Sequence, residues 1–161
     1  MTKVILLEEL KKFTETAIKD IIMPTKPQKS DTEPVFRAAE VYKMRLPDSN
    51  SATKISPYII HQVITGKDSQ QPTQREESAA VVRSIFCVYN EDEQEGALML
   101  LNLMERLRIE LLKKGVIGHQ FALDLETGIE YLIYPDDTAP FYAGEMISNW
   151  LLPTVEREVI L

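Results

Sequence analysis

One cysteine, two histidines and one tryptophan in 161 residues leave little material for covalent or metal chemistry. Cys87 has no partner for an internal disulfide, and no second cysteine offers metal-ligand spacing. It lies in the apolar run Ile85-Phe86-Cys87-Val88, where a buried and inert thiol is expected. His61 falls inside another apolar run and His119 follows Gly118. Neither has a nucleophile, base or further ligand at the spacing that a catalytic triad or metal centre requires. Glycine numbers only six, and Gly115-Val116-Ile117-Gly118 lacks the strand-turn-helix context of a phosphate cradle.

Long apolar runs are also missing. Ala97 to Leu101 is among the longest, too short to cross a bilayer as a helix. The apolar residues near the amino terminus are interrupted by Glu8, Glu9, Lys11 and Lys12, unlike the continuous core of a secretory signal. There is no basic excess either: 18 Lys and Arg against 25 Asp and Glu give a net charge of −7. Such a balance disfavours wrapping by nucleic acid or docking on an anionic membrane. These absences point to a soluble protein made in a cytoplasm, not an enzyme, with no catalytic, cofactor-binding or metal-binding residues and no membrane partner.

What remains is packing and charge. The carboxylate pairs Asp124/Glu126 and Asp136/Asp137 fall in predicted turns, where solvation explains them better than acid–base work. Arg106, Arg108, Lys113 and Lys114 cluster at the end of a predicted helix, where its dipole favours cations.

The chain reads as one domain over 1–161. A helix is predicted from Lys3 to Ile22 on the stripe Leu6, Leu10, Phe13, Ala17 and Ile21, ended by Met23-Pro24. Segments 24–34 and 67–76, rich in proline or wholly polar, are expected to be flexible loops. Strands are expected over Phe36–Leu46, Pro57–Thr65 and Ala79–Tyr89, with a loop over Pro47–Ala52. The third strand has apolar residues on both faces, which marks an inner strand or one whose second face meets another subunit.

The next helix runs to Lys114. Asn90 is its expected N-cap, with Glu93 completing a capping box, and Gly115 its stop. Strands follow near Gln120–Leu125, Ile129–Tyr134 and Tyr142–Leu152, with turns at Thr127-Gly128 and Pro135–Pro140. The expected fold is α+β: a mixed, mostly antiparallel sheet of about five to six strands packed against an N-terminal helix and one long central helix.

Three stretches carry a resemblance: Pro57-Tyr58-Ile59-Ile60, then Val81 to Tyr89 leading through Asn90-Glu91-Asp92 into Leu100–Arg108, and finally Pro140–Met146 with Trp150 and Pro153. Over residues 57–153 the chain resembles the tail terminator, or head–tail joining (tail completion), proteins of phages and prophages of Gram-positive bacteria. The resemblance implies a homohexameric ring that caps the tail tube and joins it to the head. Its implied partners are further copies of itself, the tail tube protein and the head completion or connector protein, with DNA only as passing cargo. The implied location is the virion at the tail–head junction, with the host cytoplasm during assembly. The family offers no catalytic residues to carry over. Six copies at −7 each would carry −42 in total, and an acidic lumen would let DNA pass without sticking. The main alternative is a soluble bacterial adaptor that binds a peptide at a sheet edge without catalysis. A small enzyme with a shallow site at His61 or His119 is the third reading.

Overall fold

Thr2 starts the first helix: its side chain accepts a hydrogen bond from the Ile5 amide at 3.3 Å. The structure, a computed structural model, describes residues 2–48, 55–135 and 138–158. The predicted pair Asp136/Asp137 and the Ser49–Ala52 part of the predicted loop lie outside the described residues.

Helix α1 (Lys3–Ile18) buries Leu6, Leu7, Leu10, Thr14 and Ile18. It stops four residues before the expected Ile22. Met23 is wholly buried and Pro24 disfavours a helical predecessor, so the chain turns and Met23–Pro24 becomes strand β1.

The strand expected over Phe36–Leu46 is split in two. Strand β2 (Phe36–Arg37) pairs with β1, whereas β3 (Glu40–Lys43) runs parallel to β4 (Tyr58–Ser69). Arg37 braces the break: its guanidinium donates to the carbonyls of Ala38 at 3.1 Å, Pro57 at 3.0 Å and Ile55. Strand β4 also runs further than expected, through Gly66-Lys67-Asp68. Those residues lack apolar content, but they keep pairing with β5 (Glu77–Tyr89). Only 70–76 is left as the connection between these strands.

Helix α2 (Glu93–Lys114) is capped by Asp92 rather than Asn90. The Asp92 carboxylate accepts from the Gln94 and Glu95 amides, both at 3.1 Å. Asn90 is held back at the sheet end, where its amide bonds the Pro140 carbonyl at 2.9 Å, and its side chain supports the Asp92 amide instead. At the other end Gly115 takes φ +71°, which an L side chain adopts at a cost, and its amide returns to Leu111.

Strands β6 (Val116–Ile117), β7 (Phe121–Leu123), β8 (Ile129–Ile133) and β9 (Phe141–Leu151) complete the fold. The seven-stranded sheet has the order β3-β4-β5-β9-β7-β6, with β8 also on β9. Thr127-Gly128 was expected to turn one strand back on the next, and it does not. Leu123 pairs with Trp150 and Ile129 with Ser148, so β7 and β8 lie end to end along one edge of β9. Residues 124–128 bulge out opposite Asn149. Asp124 holds that bulge by accepting from the Glu126 and Thr127 amides and from the Thr127 hydroxyl at 2.7 Å.

The α+β expectation is thus met, with mostly antiparallel pairing and one parallel pair. Both helices contact the sheet and each other. Val41, Ile59, Val82, Phe86, Met146 and Trp150 share one core cluster with Leu6 and Leu10 of α1 and with Leu103 and Leu107 of α2. Truncating one such leucine to alanine costs about 2–5 kcal/mol.

Candidate functional site

Of the residues that the sequence singled out for chemistry, His61, Asp124 and Arg106 are held by structural hydrogen bonds. His61 is fully buried between α1 and β5, with Nε2 2.8 Å from the Thr14 hydroxyl and Nδ1 2.7 Å from the Ser84 hydroxyl. One ring nitrogen donates and the other accepts, so a neutral imidazole satisfies the site. Burial lowers its pKa from 6.5 to about 4. His119 lies in the exposed β6–β7 turn, at φ +59°. The two histidines are not brought together.

Cys87 is buried beside Tyr58, its cross-strand partner on β4. Burial pushes the thiol up to about 11 against a smaller opposing hydrogen bond from Tyr58. Asp124 is held below the ordinary carboxylate range, first by the Thr127 hydroxyl. Of the basic cluster, Arg106 binds Asp20 at 2.7 Å and the Ala17 carbonyl at 3.2 Å, tying α2 to the end of α1. Arg108 binds Glu105, and Lys113 lies 3.5 Å from Glu110. These are helix-surface and helix–helix pairs rather than a continuous cationic face. Among the described residues, no group of three or more His, Cys, Asp or Glu could hold a metal ion, and no helix is long and apolar enough to cross a membrane.

A cavity of about 570 Å³ lies between α1 and α2. Phe13, Ala17 and Ile117 supply its apolar part, while Lys12, Asp20 and Arg106 stand among its charges. Arg106 is already committed to Asp20 there, and opposite charges alternate around the cleft, so it selects no ligand charge.

The other face of the sheet is different in kind. Register and strand alternation put Val82, Phe86 and Val88 toward the helices, and Val81, Arg83, Ile85 and Cys87 away from them. At one end of this second face Tyr58, Ile60 and Cys87 form a small separate cluster, bordered by Tyr42, Leu46, Ile55, Ile85 and Phe141. Tyr89 and Phe141 meet there with ring centroids 5.4 Å apart. In the middle, Arg83 donates to Gln62 at 2.9 and 3.1 Å and lies 4.0 Å from Glu145. Toward the margin, Leu132 on β8 is 55% exposed on this face, while its neighbours Tyr131 at 48% and Ile133 at 39% are exposed on the opposite side of the same strand.

Neither helix contributes to the cluster on this second face: Leu6, Leu10 and Ile18 of α1 and Leu100, Leu103, Met104, Leu107 and Leu111 of α2 all belong to the cluster on the first. An apolar–polar–apolar surface on a rigid sheet suits contact with another macromolecule better than capture of a small molecule. Two features of this surface escaped the sequence reading. The exposure of β8 was not anticipated, because edge position depends on long-range pairing. Arg83 was a local signal: a single charge inside an otherwise apolar strand marks the side that meets water.

No family model matches the sequence, and no curated protein matches it. One solved structure, designated without a function, aligns over 98% of this chain and 99% of its own at 13% identity, with a TM-score of 0.47. That likeness is too distant to carry an argument.

Proposed function

We propose that this chain is a non-enzymatic virion assembly protein, a tail terminator or head–tail joining subunit that works as a homohexameric ring. One observation carries the reading: both helices pack on one face of the sheet, so that beyond the buried Tyr58–Ile60–Cys87 cluster the second face and a strand margin carry no helix. A subunit that contacts copies of itself around a ring uses two different surfaces, each meeting the other on its neighbour. A sheet with one helix-free face, and with margins that are unpaired among the described residues, supplies such surfaces without further folding.

The structural employment of His61, Asp124 and Arg106 supports the non-catalytic part of the reading. The resemblance over residues 57–153 supports the phage part. In this role the tail tube and the head connector are the flanking partners, DNA passes through the ring, and the polar 70–76 connection is available to reach one of them.

The test is electron microscopy of the purified protein mixed with tail tubes that lack a terminator. Rings on one end of the tubes, with tube length no longer growing, are the expected result. Bare tube ends, together with a monomer that captures extended peptides, would replace this reading with that of an adaptor.

A further inference from the structure

We propose that copies of this chain join edge to edge, with β8 of one copy pairing antiparallel to the distal half of β4 in the next. The inference rests on the assembly reading and adds the joint that holds its copies together.

Both margins are unpaired among the described residues. Strand β8 pairs only with β9. Strand β3 ends at Lys43, opposite His61, so the part of β4 beyond Val63 has no strand neighbour except β5. In an antiparallel ladder, alternate residues turn both N–H and C=O away from the partner. The Tyr134 amide bonds the Ala143 carbonyl at 3.0 Å, so the even-numbered residues of β8 face β9. Ile129, Tyr131 and Ile133 then point their backbone groups outward.

On the opposite margin, the Leu152 amide bonds the Ser78 carbonyl, which assigns the even-numbered residues of β5 to β9 and the odd ones to β4. Thr65, Lys67 and Ser69 pair with Val81, Ala79 and Glu77 and so face β5. Gly66 and Asp68 face outward, and Ile64, the extra residue at the irregularity between Val63 and Thr65, stands beside them. Each margin therefore offers outward groups at every second residue over a similar length.

Strand direction fits as well. Strands β4, β5, β9 and β8 alternate in direction, so extending the sheet into a second copy sets its β8 antiparallel to β4. The side-chain faces agree too: Glu130 and Leu132 share the helix-free face with Thr65 and Lys67. Among the registers that keep both alternations, one sets Glu130 opposite Lys67. It also puts Leu132 beside Thr65, Ile133 beside Ile64, and Tyr131 over Gly66, which has no side chain. The Lys3 stem fills that space, its Cε 2.4 Å from where a Cβ of residue 66 would stand, so this flexible chain has to swing aside for the incoming ring. Opposite charge and apolar match favour a second copy over an unrelated peptide. An exposed apolar edge is itself a template for pairing.

Two cysteines at positions 67 and 130 test the joint in the full chain. Within one copy these positions are three strand spacings apart across the sheet, roughly 14 Å, and are also offset by four residues along it, too far for an intramolecular disulfide. Oxidation of Lys67→Cys/Glu130→Cys at high protein concentration, and again on tube-bound protein, should give a ladder of covalent oligomers. Either single variant should give no ladder. Lys67→Glu or Glu130→Lys alone should weaken association about three- to tenfold, and the double exchange should restore it. Tyr131→Pro removes an outward donor that β9 does not use, so it should block association while leaving the circular dichroism spectrum unchanged.

Oligomers or tube-end rings that give no interchain disulfide and tolerate Tyr131→Pro would overturn the joint and leave the assembly reading standing. A protein that neither self-associates nor binds tube ends would remove both. Capture of a peptide on β8 by a persistent monomer would overturn the joint in favour of the adaptor.

Discussion

Placing His61 between Thr14 and Ser84 links three elements through one imidazole, and it makes the fold sensitive to acid. The folded pKa is depressed from 6.5 to about 4 by burial. Its contribution to stability is therefore complete above pH 6.5 and is lost as the pH falls from 6.5 through about 4, where the unfolded chain binds a proton that the folded one refuses. A shift of that size corresponds to ~3 kcal/mol. Urea unfolding across this range should show His61→Gln less stable than the parent at neutral pH, and much less dependent on pH. Parallel profiles for the two proteins would refute the assignment. Cys87 gives a second check at the same scale, because it is the only thiol in the chain. Its burial and raised pKa predict no alkylation of the folded protein at pH 8 and complete alkylation in denaturant. Rapid labelling under native conditions would mean that the Tyr58–Ile60–Cys87 cluster opens readily.

The elements differ in how openly the sequence declares them. Helix α2 was legible because its stripe, its acidic start and its Gly115 stop are local signals. Its cap is not a local signal: Asn90 and Asp92, two residues apart, are both good caps, and only the long-range bond from Asn90 to Pro140 decides between them. Asp92→Ala should therefore lower stability by about 1 kcal/mol, and Asn90→Ala by less. Gly96→Ala is a sharper case. In an exposed helix that change stabilises by about 1 kcal/mol. Here the added Cβ would lie 2.3 Å from a ring carbon of Tyr142, so a net loss is expected in thermal unfolding; a gain would show that the ring moves aside easily. The inner position of β5 was also legible, since a strand apolar on both faces has neighbours on both edges more often than not. The end-to-end arrangement of β7 and β8 was not legible. Thr127-Gly128 has the composition of a hairpin turn, and only the β9 register makes it a bulge. For the same reason the residues of β8 were readable as strand but not as margin, with Arg83 the one local hint of which face of the sheet meets water.

For the whole molecule, the charge balance opposes the association that the sheet invites. Every copy carries −7, so copies repel one another wherever they meet. The proposed joint has one exposed Lys67–Glu130 pair in its favour, and such pairs contribute only about 0–1 kcal/mol. Backbone pairing and the apolar contacts of Tyr131, Leu132 and Ile133 must supply the rest, and neither depends strongly on salt. Raising the ionic strength shortens the screening length from about 30 Å at 0.01 M to about 10 Å at 0.1 M, which weakens the general repulsion more than it weakens a contact pair. Self-association should therefore tighten as salt is added, the reverse of a protein held to nucleic acid by counterion release. Light scattering on a concentration series at low and moderate salt measures this directly. Weaker association in salt would mean that complementary charges, not the strand margins, hold the copies together, and Lys67→Glu would then be far more damaging than Tyr131→Pro.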